Sequence, residues 1–217
     1  MELSKVYNNR FSEGERARKQ QIWKILCSSF FQKYVPPDST LLDIGAGYCE
    51  FINNIKCKRK VAVDLNEDTA LSAAPDVSVH KASSSDMPFL KCGSIDVVFM
   101  SNFLEHLKCK EDVMMTLLEA HRVLRAGGRI LLLQPNIRFI GGEYWDFFDH
   151  AVPLSDRSLS EALEIAGFEV VEVIPRVLPY STKSSLPQHP FLVRAYLAMP
   201  MLWKIFGKQA FVYGRKK

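Results

Sequence analysis

The sequence predicts an α/β fold, a doubly wound sheet of mostly parallel strands with helices on both faces. Two observations carry that expectation. Short apolar runs of strand length alternate with segments of helical periodicity along most of the 217 residues, the pattern of a parallel sheet covered on both sides. The first run, Leu41-Leu42-Asp43-Ile44, enters a turn with two glycines, and a second run, Val61-Ala62-Val63, ends on Asp64 about 20 residues later. A strand, a glycine turn, a helix and an acid-tipped second strand make the nucleotide-binding half of such a sheet.

Taken in order, residues 1–14 are polar and are expected to form a mobile arm. From Glu15 to Tyr34, Ile22, Trp23, Ile25, Leu26, Phe30 and Phe31 recur near helical spacing, predicting an amphipathic helix packed ahead of the sheet. Pro36-Pro37-Asp38 stops it. The pattern then predicts strand 40–44, a helix near 49–57, strand 60–64, a helix near 67–73, strands 77–81 and 95–101, helix 111–125 and strand 128–134. Ser158-Leu159-Ser160-Glu161 reads as a capping box opening a helix Leu159–Ala166, which Gly167 closes. Phe168–Val173 and Gln209–Tyr213 supply the last two strands.

The dinucleotide fingerprint needs a third glycine for close helix–strand packing, and Glu50 stands in its place here. No G-x-x-x-x-G-K-[ST] phosphate loop occurs either. A pyrophosphate ligand is therefore disfavoured.

The run Leu41–Cys49 resembles the first motif, hhDhGxGxG, of the class I S-adenosylmethionine (SAM)-dependent methyltransferases, with Asp43, Gly45 and Gly47 matching and Cys49 replacing the last glycine. Ser83-Ser84-Ser85-Asp86-Met87-Pro88-Phe89 resembles the family's adenine-contacting D-A-x-x-L-P-F loop, with Ser83 in place of the aspartate. Ser94–Asn102 resembles the fourth strand, Phe103-Leu104-Glu105-His106-Leu107 the L-E-H-L segment, and Arg122–Ile130 the R-V-L-x-P-G-G turn before the fifth strand. The resemblance spans roughly residues 40–136.

It implies a Rossmann-like, doubly wound seven-stranded sheet, mostly parallel, with one antiparallel strand, the last, lying between the fifth and sixth. It further implies that SAM is the cofactor, lined by Asp43, Gly45, Ala46, Gly47, Leu65, Ser83, Ser84, Ser101 and Asn102, with Asp64 on the ribose hydroxyls. One domain is expected: an N-terminal arm and helix (1–36), a SAM-binding core (40–174), a helical insertion (175–207) and a last strand (208–214). By analogy, Tyr7 and Phe11 are candidates for a lid over the pockets.

Composition narrows the function further. The hydrophobic fraction is 47% and the charged fraction 24%, ordinary for a globular protein. A net charge of +4, with no basic stripe, does not call for nucleic acid. Cys27, Cys49, Cys57, Cys92 and Cys109 form no C-x-x-C pair and leave an odd one over, which fits a reducing cytoplasm and supplies no metal motif, so no metal is expected. The N-terminus lacks the apolar core of a signal peptide. A cytoplasmic protein is expected.

An acceptor pocket is expected beyond the carboxyl ends of the strands. The loop Gly141-Gly142-Glu143-Tyr144-Trp145-Asp146-Phe147-Phe148-Asp149-His150 combines aromatic walls with carboxylates and an imidazole, as a small-molecule pocket needs. His150 and His106 are the candidate bases for a hydroxyl or ammonium acceptor, and Asp146 or Asp149 the groups that could orient one of them. The competing structural readings are that the aromatics plug the loop onto the core and that His106 is a helix-start residue.

The apolar segment Phe191–Phe206, with Lys204 near its end and Lys208, Arg215, Lys216 and Lys217 after it, reads as a helix pair packed on the sheet, a peripheral membrane contact, a lid or a homodimer patch, and Pro200 would kink or split any single helix there. Together with the loop 144–150 it resembles a bacterial methyltransferase subgroup associated with glycan pathways. The leading function is SAM-dependent O-methylation of a small-molecule acceptor, a sugar or lipid-linked saccharide. A SAM-binding module without turnover is the alternative, and a nicotinamide-dependent oxidoreductase the third.

Overall fold

A computed structural model of the chain describes residues 13–179 and 189–217. Tyr7, Phe11 and most of the expected arm lie outside the described residues. The elements are α1 (Glu13–Ser29), continued by a 3-10 turn Phe31–Tyr34, β1 (Thr40–Ile44), β2 (Arg59–Asp64), α2 (Asp68–Ser72), β3 (Val77–Lys81), β4 (Ile95–Ser101), α3 (Lys110–Val123) and β5 (Leu124–Pro135). Then come α4 (Ile137–Ile140), α5 (Asp156–Ile165), β6 (Phe168–Leu178), α6 (Pro190–Ala198), α7 (Pro200–Phe206) and β7 (Gln209–Lys216).

The sheet order is β3-β2-β1-β4-β5-β7-β6. β1 to β5 pair in parallel, while β7 runs antiparallel to both β5 and β6. The Rossmann-like sheet with one antiparallel strand between the fifth and sixth is thus as expected. Chain direction across the sheet reverses between β1 and β4, and the carboxyl ends of these two strands open the crevice where α/β folds take ligands.

Strand residues alternate between two cores, as the two-residue period requires. Leu42, Ile44, Val61, Val63, Val98, Met100, Ile130 and Leu132 face one layer with Leu117, Ala120, Leu159 and Leu163 of α3 and α5. Leu41, Ala62, Val97, Phe99, Leu131 and Leu133 face the other, under Trp23, Leu26, Phe30 and Phe31. There the rings stack: Phe51 lies on Phe99 at 3.5 Å between centroids and Phe31 meets Phe99 edge-on at 5.2 Å. The amphipathic N-terminal segment exists to cover this face.

Several local expectations are corrected. The segment 49–57 is a series of turns and not a helix. Asn54 Nδ2 donates to the Glu50 carbonyl at 2.8 Å, and Asn53 bonds Ser72 O and Ala74 N at 2.9 and 2.8 Å. These side chains compete with the helical ladder. The capping box lies one turn earlier than Ser158–Glu161. Ser155 Oγ accepts from Ser158 N at 3.1 Å and Ser158 Oγ from Ser155 N at 2.9 Å, so α5 starts at Asp156. α3 ends at Val123 and β5 begins at Leu124, because Leu124 pairs with Ile95 ahead of a bulge.

The helical insertion starts later than 175, since β6 continues to Leu178. Pro200 splits it, standing in the first turn of α7, where a missing N–H does no harm. Tyr196 donates to Val177 O at 3.0 Å, Trp203 meets Phe30 edge-on at 5.9 Å, and Arg176 donates to the Ile205 and Gly207 carbonyls at 2.7 Å. One side of the pair is therefore docked, while Phe191, Met201 and Ile205 on the other stay exposed.

Candidate functional site

At the carboxyl end of β1 the chain turns through Gly45 (φ 74) and Gly47 (φ 51). A Cβ on Gly45 would stand 2.5 Å from Cγ and 2.9 Å from Cβ of Phe103, so glycine is needed both for backbone and for space. The close approach it permits is to this ring, which follows β4. Cys49, at the position of the motif's last glycine, also has a left-handed backbone (φ 60) and is fully buried, its thiol 3.6 Å from Thr69 O. The turn thus demands the conformation that glycine adopts most readily.

Asp64 at the tip of β2 closes the turn. Its Oδ2 accepts from Gly47 N at 2.7 Å and its Oδ1 from Asn66 N at 2.8 Å. Burial raises its carboxyl, and the backbone N–H groups of Asn66 and Gly47 work against that rise. Asp43 is 3% exposed, and burial, then the charges of Asp64 and Glu50, hold its carboxyl well above the usual range. Glu50 forms an ion pair with Lys19 of α1 at 2.9 Å. Two carboxylates thus converge under a glycine turn in a site of low polarity, where a cation is favoured.

The other expected cofactor residues divide. Ala46 is buried within the turn and Leu65 is half exposed beside Asp64. Asn102, in left-handed backbone (φ 46), donates to Ser101 Oγ at 3.1 Å at the end of β4. Ser83 stays near the surface, 3.0 Å from Ser85 Oγ. Ser84 turns inward: its hydroxyl lies 2.7 Å from Thr116 Oγ1 in the core, which takes that side chain out of the cleft.

Phe103 leads into a 3-10 turn, Leu104–His106, where a second cluster forms. Ala151 N and Val152 N donate to the Glu105 carbonyl at 2.8 and 3.1 Å, drawing the end of the 141–150 loop onto this turn. His106 Nδ1 lies 3.1 Å from Asp149 Oδ2, and its ring meets His150 at 4.9 Å. His150 is buried against Phe147, stacked at 4.9 Å, and Tyr144 at 4.7 Å. Burial opposes the His106 cation, but Asp149 and Glu105 more than offset it, so its value rises. Glu105 is 2% exposed, and burial pushes its carboxyl up to about 7.

Of the expected catalytic residues, His106, Asp149 and His150 come together. Asp146 does not join them; it is exposed at the end of the 3-10 turn Gly141–Asp146. The aromatics divide as well: Tyr144 is fully buried, while Trp145 and Phe148 are exposed. Glu105 carries no sequence signal for a role, since a carboxylate beside a histidine does not reveal its burial.

Arg122 was also missed. It donates to Glu119 Oε2 and Oε1 at 2.7 Å and to the Met87 and Leu90 carbonyls at 3.0 Å. Glu119 in turn accepts from Met87 N at 2.8 Å. This fork ties the 83–90 loop to α3, and its signal was the arginine of the R-V-L segment. At the opposite, amino ends of β1 and β4, a groove lined by Pro36, Asp38, Asp96, Arg125 and Arg129 holds the Asp96–Arg125 ion pair, and Arg129 donates to Tyr34 O.

Residues 42–132 match the model of a family described as a methyltransferase domain. A Mycolicibacterium smegmatis protein described as a probable S-adenosylmethionine-dependent methyltransferase is 32% identical over 135 residues, 60% of this chain and 51% of that protein. The match therefore spans about half of that relative's length. A Thermotoga maritima structure, described as a SAM-dependent methyltransferase and possible histamine N-methyltransferase, superposes with a TM-score of 0.70 at 22% identity over 98% of both chains. A Haloferax volcanii methyltransferase solved with its Trm112 activator gives 0.66 at 16% identity over 92% of each. These structures share the fold, and their substrates and partners are their own.

Proposed function

We propose that this chain, with a methyltransferase domain at residues 42–132, transfers a methyl group from SAM to a hydroxyl of a small-molecule acceptor, a sugar or lipid-linked saccharide. The observation that carries the reading is the pair of carboxylates, buried Asp43 and half-buried Asp64, at the Gly45–Gly47 turn. SAM bears a sulfonium, an ammonium and a ribose diol, and supplies an activated methyl group. The chain's own groups fit it. Asp64 is at the tip of β2, where such folds hold a ribose diol, and a cationic ligand would offset the burial and the neighbouring charges of Asp64 and Glu50 that disfavour the ionised form of Asp43. The bend at Gly45 and Gly47 brings backbone close to whatever lies in the crevice.

Phe103, in contact with the Gly45 position, links this turn to the Glu105–His106–His150 cluster. Exposed Trp145 and Phe148 supply apolar surface beside that cluster for an acceptor ring. An acceptor hydroxyl held there gives up its proton to the cluster, with Asp149 orienting His106. Alignment of the acceptor is the larger part of the task. Titration calorimetry with SAM and S-adenosylhomocysteine tests the cofactor, and mass spectrometry of extracts incubated with isotopically labelled SAM tests transfer. Absence of heat with either ligand would sink the proposal; heat without labelled product would leave a binding module without turnover.

The same reading takes the outer face of α6 and α7 as a contact to an anionic lipid surface carrying the acceptor. Phe191, Met201 and Ile205 are 70%, 81% and 64% exposed there, beside exposed Arg194 and Lys204. The segment 189–208 holds no acidic residue to oppose such a surface. Among the described residues no helix is long and apolar enough to cross a membrane. Flotation with phosphatidylglycerol vesicles should recover the protein, and less of it after Lys204→Glu. A concentration-dependent dimer without vesicle binding would assign the face to a second copy instead.

A further inference from the structure

We propose that Glu105, His106 and His150 form a binding site for one divalent transition-metal ion of the zinc class. One ligand atom from each lies within 4.8 Å of the other two, and His106 Nε2 is 4.0 Å from Glu105 Oε1. Two imidazoles and one carboxylate are a donor set that zinc takes in open, reactive sites, with distances of about 2.0–2.2 Å to each atom. Closing the three atoms around an ion needs a movement of about an ångström, given those distances. Partly exposed His106 has room for it, and Glu105 has an oxygen free to swing.

Two independent observations point to a cation. Glu105 Oε2 is buried and has no hydrogen-bond partner, an arrangement that disfavours the fold unless something positive or a donor meets it. Asp149 Oδ2 stands 3.1 Å from His106 Nδ1, the carboxylate–histidine contact that fixes a ring with its other nitrogen toward a metal. Nε2 is the nitrogen left facing Glu105. The Tyr144 hydroxyl is a second buried polar atom without a partner, on a ring packed against His150. Nitrogen donors select a transition ion over magnesium or calcium, which prefer oxygen.

The inference deepens the methyltransferase reading and rests on it for the ion's use. An acceptor oxygen bound to the ion would be more acidic, so proton loss would need no free imidazole. Binding itself requires no methyl transfer. The cluster is built from the 3-10 turn after β4 and the end of the 141–150 loop, and neither Asp43 nor Asp64 is among its ligands, so the two sites can be assayed apart.

The test uses chelator-treated full-length protein carrying Cys57→Ser, Cys92→Ser and Cys109→Ser, which removes the more accessible thiols as competing ligands. Calorimetry with zinc should show one site, cobalt(II) should develop visible absorption, and magnesium should do neither. Glu105→Gln keeps the shape and should weaken zinc binding at least tenfold, as should His150→Ala. Asp149→Asn, acting through His106, should weaken it about 10–100-fold. Should His150→Ala fail to fold, Glu105→Gln and the cobalt spectrum still decide. No zinc heat, or affinity unchanged in Glu105→Gln, would overturn the site. SAM titrated into the same samples reports separately on the cofactor: lost SAM binding with intact zinc binding would strike only the methyltransferase reading.

Discussion

Replacing Gly45 with alanine tests how the glycine turn and the residues after β4 are coupled. At φ 74 an alanine sits in left-handed backbone, at about 1–2 kcal/mol. The new methyl group meets Phe103 Cγ at 2.5 Å and Cβ at 2.9 Å, so the ring must leave its position, an overpacking of about 1–3 kcal/mol. Reduced freedom of the unfolded chain returns about 0.4–1 kcal/mol. The net loss is about 1–5 kcal/mol, or a fall in Tm of about 2–20 °C for a domain of this size. Differential scanning calorimetry measures it, and SAM calorimetry should show at least tenfold weaker binding. Phe103→Ala and the double variant complete a cycle. In the double variant the ring is gone, leaving the backbone penalty and the 2.9 Å approach to the Cβ at position 103, so the two changes should couple favourably by about 0.5–3 kcal/mol. Additive losses, or a Gly45→Ala protein that melts with the parent, would show that this contact does not constrain the turn.

Asp43→Asn should raise Tm at neutral pH while weakening SAM. The folded carboxyl titrates above its ordinary 3.8, so its ionisation disfavours the fold as pH rises beyond that value, and the variant's gain should vanish as pH falls below 3.8. Arg122→Ala should destabilise by about 2–3 kcal/mol, since it strips a partly buried charge pair and two carbonyls of their donor; hydrogen exchange should rise in residues 83–90. Arg122 holds the Glu119 carboxyl below its ordinary 4.5, so the bridge's contribution is complete above that pH. The gap between wild type and variant should close as pH falls through the lowered value. Asn136→Ala should lose about 1–3 kcal/mol by urea denaturation, because the buried amide donates to Asp156 Oδ1 at 2.8 Å and Pro175 O at 2.9 Å. Phe148→Ser, at a site 95% exposed, should stay within about 0.5 kcal/mol of wild type yet raise the acceptor KM; an unchanged KM would remove Phe148 from the acceptor site.

What could be read from residues alone was whatever repeats with a backbone period or demands a particular backbone conformation. Leu41 and Leu42, Val97 and Val98, Leu131 and Leu132 are apolar on both faces, and only a buried parallel strand wants that. Gly45 and Gly47 announced a left-handed bend, and Asp64 the tip of its neighbouring strand. Side-chain competition misled: Asn54 bonds the nearby Glu50 carbonyl and Asn53 reaches the distant Ser72 and Ala74 backbone, undoing the helix that spacing suggested, and Ser155 captures the cap one turn early. Tertiary structure alone decided the cluster beyond β4. His106 and Asp149 are distant in sequence and meet because Ala151 and Val152 donate to the Glu105 carbonyl. Such long-range pairings have no period, so no pattern in the chain foretells them. The same holds for Ser84, which the 83–90 loop turns toward Thr116 and away from the cleft, and for Glu105, whose burial depends on which surfaces close over it.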